Sequence, residues 1–289
     1  MRIFDYQQKR EIEVSQYNQR SLSFLYKTAV GRLFLKGITR PWISKIYGKY
    51  NDSKFSRRKI SSFVKKYEIE LSDYEEKEYQ SFNDFFTRKI LPNKRKFSKK
   101  GTDFIAPADS RIMVYPVSEN LLFPVKNSNY SVASILNDPI LAEKYKGGTC
   151  IVFRLCVDDY HRYCFFDSGV LSSTYYIPGR LHTVSPIVYD FYRVFQENSR
   201  QVSVLETDHF GTVAQVEVGA LMVGKIVNHE IQTFQRGEEK GYFEFGGSTI
   251  VLFLEPNQVE IDPCILEYTK QGIEVKVKLG TILGRKKHK

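Results

Sequence analysis

The sequence predicts an α+β protein: a basic, helical N-terminal region over residues 1–100, followed by a β-rich sandwich or barrel-like domain over residues 101–289. Three observations predict it. Between Val14 and Lys66 there are thirteen Lys and Arg against one acid, Asp52, so a chain of net charge +10 carries its whole excess there. In that same segment apolar residues recur at helical spacing. From Phe104 onward the texture becomes short β-branched and aromatic runs bounded by Gly, Pro, Asn and Asp. With 42% hydrophobic and 26% charged residues the chain is long enough for a real core, which excludes wholesale disorder.

Taken in order, the opening MRIFDYQQKREIEV puts charges where a secretory signal needs its apolar segment, so the chain is read as remaining on the cytoplasmic side. Leu22, Leu25, Ala29, Leu33 and Phe34 then form a stripe between Arg20, Lys27, Arg32 and Lys36. After Pro41, Trp42 to Tyr47 and then Ile60, Phe63, Val64 and Tyr67 repeat the pattern beside Arg57, Arg58, Lys59, Lys65 and Lys66. Two readings stand: a helical face lying in an anionic lipid interface, or a stripe packed on the protein's own core with its charges in water. Residues 81–88 close the helical part, ahead of Pro92 and the basic loop 93–100. Strands are expected over 111–117, 149–157, 170–177, 201–206, 212–218, 221–227, 249–254 and 273–279, with a helical insertion over 131–136 and 139–145. No stretch reaches the roughly 18 apolar residues of a membrane-spanning helix. Cys150, Cys156, Cys164 and Cys264 lack paired CxxC spacing, so they are read as reduced, and no metal site is expected.

Three clusters could carry chemistry. In Gly246-Gly247-Ser248-Thr249 two glycines precede a serine that opens the apolar run 250–254, a place where the backbone can be strained and a hydroxyl can turn on the preceding carbonyl. Asp158-Asp159-Tyr160-His161-Arg162-Tyr163-Cys164 puts a histidine where a strand meets a polar loop. Ala106-Pro107-Ala108-Asp109-Ser110 puts an acid after a rigid turn. Asp, His and Ser are the parts that orient a base and activate a hydroxyl. His182 lies in a loop that could line a pocket or serve structure alone; His209, His229 and His288 read as turn or solvated positions.

These motifs, with Phe85-Phe86-Thr87-Arg88, Glu197-Asn198-Ser199-Arg200, 218–224 (Val-Gly-Ala-Leu-Met-Val-Gly) and Val277-Lys278-Leu279-Gly280, resemble in content and order the phosphatidylserine decarboxylase family over about Phe82 to Gly284. The resemblance implies self-cleavage between Gly247 and Ser248 into a β chain, 1–247, and an α chain, 248–289, held as a heterodimer. It implies that Ser248 becomes a pyruvoyl cofactor whose ketone condenses with the lipid amine, without PLP or metal, and that phosphatidylserine becomes phosphatidylethanolamine. Asp109 is expected to orient His161, and His161 to take the Ser248 proton. Where many family members have a second histidine this chain has Cys164, a weaker proton acceptor at neutral pH. The expected setting is a peripheral site on the cytoplasmic side of an anionic cell membrane, with homo-oligomers open and no nucleic acid. The alternative is a non-enzymatic β domain whose basic arm grips nucleic acid or anionic lipid by charge.

Overall fold

The computed structural model describes residues 1–14, 19–120, 122–125, 128–221 and 225–287. The Met222, Val223 and Gly224 positions of the 218–224 motif, and His288, lie outside the described residues.

The apolar run 250–254 has no polar alternation because both its faces are covered. Ile250, Leu252 and Leu254 enter one core cluster with Phe153, Leu155 and Ile112; Val251 and Phe253 enter another with Val152, Val216 and Val202. This strand is the middle of a ten-stranded mixed sheet. Its members in chain order are β1 (Arg2–Asp5), β2 (Arg10–Glu13), β3 (Ser110–Pro116), β4 (Thr149–Leu155), β5 (Gly169–Ile177), β6 (Arg200–Thr207), β7 (Gly211–Val218), β8 (Thr233–Phe234), β9 (Ser248–Leu254) and β10 (Glu274–Val277). They are arranged β8-β5-β6-β7-β9-β4-β3-β10-β1-β2. The α+β class is as expected. Barrel-like closure does not occur, since β8 and β2 are unjoined ends of one sheet whose two faces are covered by different layers.

The helical region begins after a hairpin. Residues 2–5 run parallel to β10, with Ile3 opposite Glu274, and fold back on residues 10–13. Then come α1 (Gln19–Lys27), α2 (Ala29–Ile38), α3 (Pro41–Asp52), α4 (Arg58–Tyr67) and α5 (Phe82–Phe86). Local chemistry sets their starts: the Thr28 hydroxyl accepts from Gly31 N–H, Pro41 occupies the first turn of α3, and the Ser81 hydroxyl accepts from Asp84 N–H.

The apolar stripe divides between the two readings. Tyr26 and Leu35 are buried, and Leu22 and Leu25 pack beside them on the sheet. Leu33, Phe34, Trp42, Ile46 and Phe55 are exposed, Phe55 to 71%. Ile60, Phe63 and Val64 of α4 pack on Phe82, Phe85, Phe86 and Phe245, which ties the helical layer to the turn before β9.

Candidate active site

β9 starts at Ser248, paired with Leu155 of β4, so the Gly246–Gly247 turn is fixed at one end of the sheet's centre. The two glycines differ. Gly246 has φ of +144°, which favours glycine. A Cβ on Gly247 would meet only Val184 Cγ2 at 3.6 Å and the Leu155 carbonyl at 3.7 Å, both ordinary contacts. Phe245 N–H donates to Asn83 Oδ1 at 3.2 Å, and Asn83 Nδ2 donates to Asp52 Oδ1 at 2.8 Å, so α3 and α5 both hold the turn. Ser248 Oγ is buried and has no hydrogen-bond partner among the described residues; Thr249 Oγ1, its neighbour on the opposite face, has none there either. A native fold seldom leaves such atoms unpaired without a use for them.

His161 is fully buried. Its carbonyl accepts from Phe243 N–H at 3.0 Å, and its Nδ1 lies 2.9 Å from the Asp159 carbonyl, which assigns the ring proton to Nδ1. Among the described residues Nε2 has no partner within hydrogen-bond geometry and keeps its lone pair. Burial lowers the imidazole to about 4; the Asp159 carbonyl and the Gly246 backbone work against that, and the Arg88 guanidinium adds to it. At neutral pH the ring is therefore an uncharged base beside the glycine two residues before Ser248. The Phe86 ring covers it at 4.2 Å between centroids.

Asp109 and His161 are not bonded to each other among the described residues. The buried Asp109 carboxylate accepts from Arg95 Nη2 at 2.9 Å, Lys278 Nζ at 3.1 Å and Leu279 N–H at 2.7 Å. Burial alone would raise its pKa, but Lys278 and Arg95 outweigh it and hold the carboxyl below its usual range. Two cations and an amide consume its acceptor sites. The carboxyl beside His161 in sequence is Asp159, whose Oδ2 accepts from Cys156 N–H at 2.7 Å and whose pKa burial and Asp158 raise to about 6. Cys164 packs with Tyr74, Tyr160 and Leu279, and burial pushes its thiol further up, so it stays protonated.

His182 has a larger part in the architecture than its sequence suggests. Its carbonyl accepts from Asn198 Nδ2, which also donates to the Gly219 carbonyl, both at 2.8 Å; this uses the Asn198 of the 197–200 motif. The ring stacks on Tyr192 at 4.1 Å, Nδ1 lies 3.4 Å from Tyr26 Oη, and Nε2 is buried without a partner. Burial and Arg180 lower this imidazole to about 4 as well. Two residues on, Val184 is the side chain against Gly247. Sequence reasoning missed Asn83, Phe86, Tyr26 and Val184 as site neighbours. Asn83 and Phe86 fall in the 81–88 segment it had marked, whereas nothing local flags Tyr26 or Val184.

A buried hydroxyl at the head of β9 and two buried uncharged imidazoles, all with unpartnered polar atoms among the described residues, make this a candidate enzyme site. A sequence profile described as phosphatidylserine decarboxylase matches residues 82–285. The chain is 52% identical to a phosphatidylserine decarboxylase proenzyme 2 of Clostridium acetobutylicum over 98% of this chain and 97% of that one. It is 41% identical to a phosphatidylserine decarboxylase proenzyme of Clostridium tetani over 93% and 90% of the two chains. With one from Desulfitobacterium hafniense it shares 39% identity over 92% of each. The chain belongs to the phosphatidylserine decarboxylase family. The comparisons lend nothing to the non-enzymatic alternative. Among the described residues no group of three or more His, Cys, Asp or Glu could hold a metal ion.

Proposed function

We infer that this chain is a proenzyme that breaks its own Gly247–Ser248 bond and then decarboxylates phosphatidylserine to phosphatidylethanolamine. The observation that carries the reading is the unpaired, buried Ser248 Oγ at the head of a central strand, behind a glycine turn whose Gly246 backbone lies beside the uncharged His161 imidazole.

In the proposed cut His161 Nε2 takes the hydroxyl proton and Ser248 Oγ attacks the Gly247 carbonyl carbon. The amide C–N bond breaks as the ester C–O bond forms, and the proton passes to the Ser248 nitrogen. Loss of the Ser248 α proton then expels Gly247 as a carboxylate and leaves dehydroalanine. Water adds, ammonia leaves, and a pyruvoyl group heads residues 248–289. The residues present fit that group: a buried hydroxyl with no competing bond among the described residues, behind a glycine at which even an added Cβ would meet nothing closer than 3.6 Å. Once formed, the pyruvoyl ketone supplies the electron sink that PLP supplies in other amino-acid decarboxylases. His161 holds the proton that returns to the substrate α carbon; cleavage is finished by then, so one imidazole serves both stages. Asp109 ties Lys278 and Leu279 of the α chain to Arg95 of the β chain, and β9 and β10 each lie between strands of the β chain, so the pieces stay together after the cut.

The substrate lies in a bilayer, and among the described residues no helix is long and apolar enough to cross one. The proposed attachment is peripheral, on an anionic cytoplasmic face, through the exposed Leu33, Phe34, Trp42, Ile46 and Phe55 and the surrounding Lys and Arg. Intact mass tests the function: purified protein should give pieces 1–247 and 248–289, the second with a blocked N-terminus. Cyanoborohydride with phosphatidylserine should add substrate mass to 248–289 alone. An active preparation consisting only of uncut chain would overturn the reading.

A further inference from the structure

α3 and α4 enclose, with the turn before β9, a groove of about 270 Å³. Its walls are the rings of Tyr47, Phe63 and Tyr67, and it also meets Phe82 and Phe245. Lys59, Ser62 and Lys66 complete the lining. The groove sits on a seam: Phe82 and Phe245 lie within the profile match, which begins at Phe82, while the other six lining residues come from the preceding helices.

Three features specify an occupant. First, rings connect the groove to the base: Phe245 lies 5.0 Å from Phe82 and 5.1 Å from Phe86, and Phe86 lies 4.2 Å from His161. Second, the charge is positive. Lys59 Nζ donates to Asn51 Oδ1 at 2.7 Å and sits over the Tyr50 ring at 4.3 Å; among the described residues no carboxylate pairs with it, and Lys66 lies over the Tyr67 ring. A partly desolvated ammonium over aromatic faces at the side of an apolar groove suits an anion joined to a hydrocarbon stem. Third, the helices that form the groove also carry apolar side chains exposed to solvent: Ile46, next to Tyr47 in α3, and Phe55, just after α3. A phosphodiester attached to an acylated glycerol has this pattern of charge and apolarity.

We propose that the groove receives the glycerol phosphate and first acyl methylenes of the substrate phospholipid, with Lys59 and Lys66 facing the phosphodiester and the serine headgroup directed past Phe245 toward residue 248. This deepens the decarboxylase reading and rests on it. The groove thus selects a lipid over free serine or phosphoserine, and it does so with residues contributed by the helical region.

The test uses monomeric dihexanoyl phosphatidylserine, so that vesicle binding does not enter the measurement. Ser62→Trp fills the groove from an exposed position, and Lys66→Gln removes one charge. Each should raise KM, Ser62→Trp by about tenfold, with kcat little changed, the pattern for lost ground-state binding. Thermal melting checks that the variants are folded. Unchanged KM in a folded Ser62→Trp, or a fall in kcat at unchanged KM, overturns the proposal. A second measurement needs no turnover: the uncut Ser248→Ala chain is photolabelled with a phosphatidylserine carrying a diazirine near the start of its acyl chain. Label should fall on peptides containing Phe63 or Tyr67 and be lost in Ser248→Ala/Ser62→Trp; label elsewhere overturns the groove. Wild-type protein that releases no CO₂ while still labelling there would refute the decarboxylation reading and leave the binding site standing.

Discussion

The Phe86 ring lies on the His161 imidazole at 4.2 Å between centroids, tilted by 40°, and closes that face of the base to water. Burial is the largest reason His161 is lowered to about 4. Phe86→Leu opens the contact and should let the imidazole rise toward its ordinary 6.5. Self-cleavage of newly made wild-type precursor should then keep its rate down to about pH 5, whereas the variant slows below about pH 6.5. A gel time course across pH reads this out; superimposable profiles would remove Phe86 from the control of the base.

The two buried imidazoles also set a stability profile. His161 and His182 are each near 4 when folded and near 6.5 when unfolded, so the unfolded chain takes up protons first as pH falls from 6.5 to 4. Their contribution is whole above 6.5 and is lost through that window. Asp159, raised to about 6, acts with the opposite sign, because the folded chain gains its proton before the unfolded one does. Glu244, which burial raises, acts in the same direction as Asp159; the two imidazoles, each lowered from 6.5 to about 4, are the larger effect, so melting temperature should fall from pH 6.5 to 4 for the Ser248→Ala precursor. Adding His161→Gln should flatten that fall, measured by scanning fluorimetry.

The glycines before Ser248 should separate on mutation. Gly247→Ala meets only ordinary contacts and should still be cut. Gly246→Ala forces an L residue to φ near +144° and should cost about 1–3 kcal/mol and impair cleavage. Ser248→Ala and His161→Ala should stay as one band, while Cys164→Ala, which removes a protonated packing thiol, should process. Efficient cleavage in His161→Ala would exclude it as the base.

Asp109→Asn distinguishes holding the α chain from orienting the base. It leaves Lys278 without a carboxylate and Arg95 with Asp73 alone, and should cost about 3 kcal/mol, the low end for a broken buried pair because Arg95 keeps that partner and the Lys278 side chain is 43% exposed. Cut protein should release residues 248–289 at lower urea on size exclusion. The pH profile of cleavage should keep its midpoint, since Asp109 makes no bond to His161. A shifted midpoint with normal retention of the α chain would reverse that assignment.

Membrane attachment should respond to the exposed apolar residues. Phe34→Ser/Trp42→Ser/Phe55→Ser removes side chains that bury little in the fold, so self-cleavage should persist while flotation with phosphatidylserine vesicles drops severalfold. Deleting residues 1–66 is a poorer probe, because it also removes β1 from beside β10 and Tyr26 from the core. Undiminished flotation of the folded triple variant would place attachment elsewhere.

Local pattern carried much of this protein. The run 250–254 is continuous in apolar residues because a central strand buries both faces, and that is readable without partners; so are the strands near 149–157 and 212–218 and the short helix within 81–88. The Gly-Gly-Ser-Thr turn and the Asp-Tyr-His-Arg motif were likewise visible, since each is a few adjacent residues with distinctive chemistry. Distance along the chain is where sequence stopped. Residues 2–5 are four positions whose strand state exists only because residues 274–277 lie beside them. The partners of Asp109 are 14 and 169 residues away, and the positive charges of Arg95 and Lys278 hold its carboxylate more strongly than a neutral imidazole could. Periodicity said that Leu22, Leu25, Leu33 and Phe34 belong to helices; only packing decided that the first two face the sheet and the last two face outward. A repeat in sequence fixes which side chains share a face, and the free energy of burial against a partner, which the repeat does not contain, fixes what that face meets.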